Sequence, residues 1–488
     1  MSDPWKPREE CGIVVAHSLH DTYKALKALQ HRGQEAAGIA AMTGKSVSAV
    51  RWKGLVDNFS LRYLHTLLDG GVFIGHVRYS TSGSREKILK DAHPHCTGGN
   101  DFLYGEGRLL AEGGDMESIL QEGRGSHIIT TDARTAAIHN GTLVDHNELT
   151  NKTDECDTRT LLKLYSEIGP EELLRKIPAA YSAAFLNANN REVVCVRDRF
   201  GIRPCWIGKK DGKYVIASED RAIMEIGGTP IREVAPGEAV YIKDGEFEAK
   251  QIIDPETRFC FFEYVYLAHP ESTFNGHKVR EARYRLGVEL AGEFRPPDAD
   301  MVSFVPNAPE PVARGYSSES DLPFAELFYK MREEDRSFMI PHGHGRSESI
   351  ERNLYVLDNV NLEGKNIVLV DDSIVRGNVS QVAVMKLKKA GARKVYFLSA
   401  SPPIGIRLNG ENTGCLYGVD MPPTDNFAIK RCGSVERIRD EMGADALHYI
   451  SFDGLYRAIQ LTERQSCNYC ISGIRPDRPL QIKSPRSI

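Results

Sequence analysis

Hydrophobic positions first gather at Gly12–Ala16, directly after Cys11 and a polar leader, and this run reads as a buried strand with Cys11 at its start. Residues 21–31 carry Tyr23, Leu26 and Leu29 at helical spacing and predict a helix. Further apolar runs at residues 71–76, 135–139, 183–186, 193–196 and 214–217, with turn residues between them, predict a strand-rich first half. Residues 98–131 are rich in Gly, Asp and Glu with weak periodicity, which predicts a surface excursion without chemistry of its own.

From Glu263 the pattern changes. Residues 279–294 form a long amphipathic stretch, followed by the short apolar run 301–305. Residues 366–370 then predict a strand, 379–390 a helix ended by Gly391, and 394–400 a second strand. A strand, helix, strand unit of this length implies a right-handed crossover in a parallel sheet, so the second half is expected to be α/β. There is no internal repeat and no low-complexity segment.

A chain of 488 residues exceeds what one core usually serves, so at least one domain boundary is expected. The 41% hydrophobic and 26% charged residues are ordinary for a globular protein. No apolar run reaches about 18 residues and the leader lacks the apolar region of a signal peptide, which predicts a cytoplasmic protein without a membrane partner. A net charge of −5 with interspersed signs offers nothing to a polyanion, so nucleic acid is not an expected partner. Ten cysteines in such a chain point to thiols, catalysis or metal rather than to a disulfide framework.

A Cys-Gly-Ile at a strand start is, taken alone, more often a buried structural thiol. Its neighbours change that reading. Residues 29–39 (LQHRGQEAAGI), 75–81 (GHVRYST), 139–141 (HNG) and Asp157-Thr158 follow in that order. Together they closely resemble the N-terminal-nucleophile glutaminase domain of the amidophosphoribosyltransferase family. The chemistry of amide hydrolysis suits these residue types: a thiolate attacks, and a free α-amino group on the same residue, with a pKa of about 7.7–8.0, serves as base. The resemblance implies removal of residues 1–10 as a propeptide to expose Cys11. It also implies an oxyanion hole from Asn140 and the Gly141 N–H, Arg78 for glutamine's α-carboxylate and Asp157 for its α-ammonium. His31 and Arg32 are read as helix-capping and loop-holding groups, and residues 197–204 (RDRFGIRP) as a structural loop.

In the second half, residues 368–377 (VLVDDSIVRG) join a hydrophobic strand to two acids and a Gly-containing turn that opens a helix. Backbone N–H groups at a helix start favour phosphate, and adjacent carboxylates suit vicinal ribose hydroxyls. The segment resembles the phosphoribosyl pyrophosphate loop of type I phosphoribosyltransferases. That implies ribose and Mg²⁺ binding by Asp371 and Asp372, and 5′-phosphate binding across residues 373–380, including Ser373, Arg376, Gly377 and Ser380. Lys330 and Arg336 fall where the family's mobile loop carries the cations that cover pyrophosphate. Residues 305–309 (VPNAP) depart from the family's Val-Pro-Asp-Ser-Gly, acids at 333–335 enter the loop, and Asn378-Val379 replaces Thr-Thr. A changed acceptor, or a second half that only senses nucleotides, therefore stands as the alternative to phosphoribosyl transfer.

Cys467 and Cys470 are spaced as metal ligands, and Cys260 and Cys415 match the other two positions of the family's iron–sulfur branch. Four thiolates suit a [4Fe–4S] cluster, with structural zinc as the alternative. Cys96, Cys156, Cys195, Cys205 and Cys432 are expected to be incidental thiols. The architecture implied is an αββα N-terminal-nucleophile glutaminase domain over residues 11–250, an α/β type I phosphoribosyltransferase domain over 251–463 and a cluster-binding tail over 464–488. The resemblance further implies glutamine and phosphoribosyl pyrophosphate as substrates, a homotetramer and feedback inhibition by purine nucleotides.

Overall fold

The structure is a computed structural model and describes residues 11–79, 88–105, 107–113, 120, 125–144, 156–306, 308–330, 353–408, 411–419, 421 and 423–477. The first half is built on two antiparallel sheets. A ten-stranded sheet runs, in spatial order, Thr229–Glu233, Trp206–Lys210, Lys213–Ala217, Gly12–Ala16, Val72–Arg78, Ala36–Thr43, Ser46–Lys53, His127–Ala133, Asn100–Gly105 and Arg108–Glu112. A six-stranded sheet runs Glu246–Gln251, Glu238–Lys243, Glu192–Arg197, Ala180–Asn187, Thr135–Thr142 and His95–Thr97.

The alternation along each strand decides how the two sheets stack. Ile13 and Val15 join Ile74, Ala136, Ile138, Ala184, Val193 and Val240 in one core between the sheets. Val14 and Ala16 face the other way, onto the helices Leu19–Ala28 and Asp220–Glu225. On the far side Ala137, Ala183, Phe185 and Val194 pack against the helix Asp157–Lys176. The result is four layers, helix, sheet, sheet, helix, as the resemblance implies.

The second half holds a parallel four-stranded sheet in the order Met301–Phe304, Asn366–Asp371, Lys394–Ser399 and Ala446–Tyr449. Both faces are covered, which explains the unbroken apolar run of the central strand. Val368 and Val370 meet the helices Val279–Glu293, Glu310–Ser320 and Phe452–Ile459, while Ile367 and Leu369 meet Asn378–Lys389 and Val435–Met442. Among the described residues, no helix is long and apolar enough to cross a membrane.

Two expectations need correction. Residues 98–131 are not a structureless excursion: three strands, Asn100–Gly105, Arg108–Glu112 and His127–Ala133, extend the ten-stranded sheet. Leu103 and Ile128 are buried there in a small core of their own with Leu89 and Leu120, too few apolar residues to raise a periodic signal. The first helix spans Leu19–Ala28 instead of 21–31, because Ser18 caps it by accepting from the Asp21 N–H, and Gln30–Arg32 form a separate 3₁₀ turn.

Candidate active sites

Cys11 lies at the start of the strand Gly12–Ala16, in the middle of the ten-stranded sheet. Gly12 pairs with Val77, so Cys11 stands beside Arg78, and its Sγ is 3.9 Å from the Tyr79 carbonyl oxygen. Burial pushes the thiol's pKa up, while the Tyr79 contact and the charges of Arg78 and Arg32 work against it and Asp157 adds to the rise. The structure thus gathers Cys11, Arg78 and Asp157 within electrostatic reach of one another.

The other sheet supplies the amide and glycine. His76 Nε2 lies 3.0 Å from the His139 carbonyl oxygen, a bridge between the two sheets two residues before Arg78 on one strand and one residue before Asn140 on the other. Asn140 is buried, and among the described residues neither its Oδ1 nor its Nδ2 has a hydrogen-bond partner. A buried amide left without partners is costly and marks a place where a ligand completes the set. Gly141 has φ 136°, and a Cβ there would sit 2.0 Å from the Ala180 oxygen, so only glycine fits. Arg78 is similarly buried, with Nη2 3.6 Å from Asp91 and Nη1 without a partner among the described residues. Asp157 opens the helix Asp157–Lys176, and its Oδ2 accepts from the Leu143 N–H at 3.1 Å.

Arg32 does far more than cap a helix. Its Nε donates to the Cys11 carbonyl oxygen at 3.1 Å, Nη1 donates to Glu219 at 2.6 Å and Nη2 to Glu263 at 2.8 Å. Glu219 also accepts from the Ser272 hydroxyl and the His269 N–H and lies 2.8 Å from His31 Nε2, while Arg203 Nη1 is 3.7 Å from Glu263. Burial pushes the Glu219 carboxyl up, but His31 and Arg32 outweigh it and hold the group well below the usual carboxylate range. This buried network joins the Cys11 backbone to the entrance of the second half, through Glu263 of the single turn Glu263–Leu267. No local pattern ties Glu263 to Arg32 or Glu219, which are distant in sequence.

A second feature was also missed. His76, His93, His95 and His139 stack behind Arg78 and Asp157, with the His76 and His93 rings 4.0 Å apart and those of His93 and His95 5.0 Å apart. Burial holds all four imidazoles neutral, lowering His76 to about 3 and His93 and His95 well below their ordinary value.

In the second half, Asp371 ends the central strand of the parallel sheet, and Asp371 and Asp372 are both buried at its carboxyl edge. Crevices at that edge are where ligands of open α/β sheets bind. The Asp372 N–H donates to Asp371 Oδ1 at 2.9 Å, and the Ser373 hydroxyl donates to Asp372 Oδ1 at 2.8 Å. Gly377, at φ 84°, turns the chain into the helix Asn378–Lys389, on which Val379 and Ser380 are buried. Arg431 donates to the Arg376 carbonyl oxygen at 3.2 Å and steadies that turn. Lys330 ends the short strand Phe328–Lys330, which pairs with Leu354–Val356. Arg336, Asn307, the acids at 333–335 and residues 1–10 lie outside the described residues.

The sheet pairing brings Cys260 level with Cys467, and Cys415 and Cys470 act electrostatically on the same neighbourhood. Cys415 Sγ accepts from the N–H groups of Tyr417 and Val419, each at 3.4 Å. Burial raises the pKa of Cys260, Cys467 and Cys470, so each thiol stays protonated unless a cation joins it.

A four-layer αββα domain with a cysteine at the start of a central strand, followed by an α/β unit with paired acids at its carboxyl edge, defines a glutamine amidotransferase coupled to a phosphoribosyltransferase. Comparison with known proteins agrees. A family model described as a glutamine amidotransferase domain matches residues 116–225. An amidophosphoribosyltransferase of Pyrococcus horikoshii is 36% identical, covering 98% of both chains. One of Mycobacterium tuberculosis is 32% identical over 96% of this chain and 87% of its own. The solved glutamine phosphoribosylpyrophosphate amidotransferase of B. subtilis, complexed with ADP and GMP, superposes with a TM-score of 0.79 at 29% identity, covering 96% and 98% of the two chains. The chain belongs to the amidophosphoribosyltransferase family.

Proposed function

We infer that this chain makes 5-phosphoribosylamine from glutamine and phosphoribosyl pyrophosphate, releasing glutamate and pyrophosphate, as the committing step of purine synthesis. The observation that carries the glutaminase half is the convergence of Cys11 with Arg78 and Asp157 beside an Asn140 amide that has no partner among the described residues. Once residues 1–10 are removed, the Cys11 α-amino group takes the thiol proton, which burial otherwise retains. The thiolate attacks the glutamine amide carbon. Asn140 Nδ2 and the Gly141 N–H receive the developing oxyanion, Arg78 Nη1 holds the α-carboxylate and Asp157 the α-ammonium. The α-ammonium so formed returns the proton to the amide nitrogen, which leaves as ammonia, and water then hydrolyses the thioester to glutamate and the free Cys11 thiol.

At the second site Asp371 and Asp372 hold the ribose hydroxyls and Mg²⁺, and residues 373–380, with Ser373, Arg376, Gly377 and Ser380, cradle the 5′-phosphate. Lys330 and Arg336 neutralise the departing pyrophosphate. Mg²⁺ supplies charge neutralisation on the pyrophosphate oxygens. Ammonia reaches the ribose C1 through the interior, past the Arg32–Glu219–Glu263 junction, which keeps it from water. Domain boundaries are proposed at about residues 250 and 463, the first at the end of the strand Glu246–Gln251.

Cys260, Cys415, Cys467 and Cys470 are proposed to hold a [4Fe–4S] cluster. Among the described residues the group of three ligands within 4.8 Å of one another is a different one, His93, His95 and Cys156. The four cysteines are therefore not drawn together as a single zinc ion with Zn–S bonds of about 2.3 Å would draw them. The cluster ties the tail to the strand Phe259–Cys260. A cytoplasmic homotetramer under purine-nucleotide control completes the proposal, in keeping with the ADP and GMP bound by the B. subtilis relative.

The test of the coupling is Cys11→Ala. Loss of glutamine-dependent pyrophosphate release with retention of ammonia-dependent release supports it, and loss of both, or of neither, refutes it.

A further inference from the structure

We propose that His93, His95 and Cys156 form a binding site for a borderline transition-metal ion such as Zn²⁺, separate from both substrate sites and from the four-cysteine cluster. The three residues come from two segments far apart in sequence: His93 and His95 flank Pro94 at the edge of the six-stranded sheet, and Cys156 immediately precedes the helix Asp157–Lys176. Their ligand atoms all lie within 4.8 Å of one another, and all three side chains are buried. Cys156 Sγ is 3.4 Å from His95 Nε2.

The surroundings orient the ligands as an outer layer of a metal site does. His93 Nε2 lies 2.9 Å from the Thr158 hydroxyl, which also touches His139 Nδ1 at 3.1 Å. With Nε2–H donated to Thr158, the lone pair of His93 Nδ1 is left free, and that buried atom has no partner among the described residues. A second hydrogen bond of this kind fixes the tautomer and the ring plane of a metal-bound histidine. Two nitrogens and one thiolate leave a fourth tetrahedral position for a water or small anion.

Three guanidinium groups lie nearby, and Arg159, which acts on both His95 and Cys156, donates to the Lys90 carbonyl oxygen at 3.0 Å. Arg51 pairs with Asp101 at 3.3 Å, and Arg78 with Asp91 at 3.6 Å. Arg51 Nη1 also lies 3.4 Å from His95 Nδ1, a long contact that is given up when metal takes Nε2 and the ring proton moves to Nδ1. Binding displaces the Cys156 proton to solvent, so uptake releases about one proton per ion. The ion would pin the residue preceding Asp157, and so hold the helix start on which the glutamine α-ammonium contact depends.

The experiment is metal analysis of the full chain after zinc reconstitution, with iron and sulfide counted alongside, and zinc X-ray absorption spectroscopy of the same sample. A mixed nitrogen and sulfur shell at about one zinc per chain is expected. Zinc content should fall at least about tenfold in His93→Gln and in Cys156→Ala and persist in Cys96→Ala, whose thiol is a sequence neighbour of His95. An all-sulfur shell, a wild-type zinc content far below one per chain, or unchanged zinc in both variants would overturn the proposal. The wild-type spectrum decides the matter even if a variant fails to fold.

Discussion

Replacing Glu219 with Gln removes one negative charge from the buried group of Arg32, Arg203, Glu219 and Glu263, while leaving the shape of the side chain intact. The guanidinium of Arg32 is about 1% exposed and the Glu219 carboxylate 0%, so water cannot replace the lost charge. Breaking a buried pair by removing one partner typically costs about 3–5 kcal/mol, whereas an exposed pair contributes about 0–1 kcal/mol. Glu219→Gln should therefore lower the urea midpoint by at least about 1 M, for a slope of a few kcal/mol per M. Asp57→Asn, which breaks the exposed 2.8 Å pair with Lys27, should leave it nearly unchanged. Because Arg32 Nε also holds the Cys11 carbonyl, glutaminase activity should fall as well. Urea unfolding and glutamate release measured on the same preparations check both. Equal midpoints for the two variants, with full glutaminase activity in Glu219→Gln, would refute the assignment of this network as the joint behind Cys11.

The depressed Glu219 carboxyl means that the unfolded chain binds the extra proton more readily; the stability it contributes is complete above the ordinary carboxylate pKa and is lost as pH falls through the folded value. Acid unfolding of Glu219→Gln should accordingly be less steep than that of the wild type, read from stability measured between neutral and acid pH. Asn140→Ala should cost about 10²–10³ in glutaminase kcat with a small change in KM, as loss of one oxyanion donor does, in steady-state assays of glutamate. Gly141→Ala should abolish the glutaminase while ammonia-dependent transfer survives, since its Cβ would meet the Ala180 oxygen. Asp372→Asn should leave glutamine hydrolysis measurable but sharply reduce phosphoribosyl pyrophosphate affinity, checked by calorimetric titration in Mg²⁺.

Much of the fold was legible because its strongest signals are local. The strand after Cys11 and the crossover 366–400 follow from apolar runs and their spacing, the four layers were implied by the family resemblance, and the structure places them accordingly. The outer strands Asn100–Gly105 and Arg108–Glu112 escaped because they bury few side chains, so polar composition hid backbone pairing. The candidate site residues were legible as motifs, and Arg78 and Asp157 lie within electrostatic reach of Cys11. What sequence left out are contacts across long separations. Glu219 meets Arg32 over 187 positions and Glu263 meets it over 231, distances at which no periodicity speaks. Cys156 read as an incidental thiol for the same reason, since its histidine neighbours lie 61 or more positions away.

The central claim, that glutamine-derived ammonia is delivered to phosphoribosyl pyrophosphate within one chain, is tested most directly by pyrophosphate release from anaerobically purified protein whose mature N-terminus has been read by mass spectrometry. With Mg²⁺ and both substrates, the account predicts an N-terminus at Cys11 and pyrophosphate formed in step with glutamate. Glutamate formation without pyrophosphate, at any phosphoribosyl pyrophosphate concentration, would contradict it and assign the paired acids Asp371 and Asp372 to another acceptor.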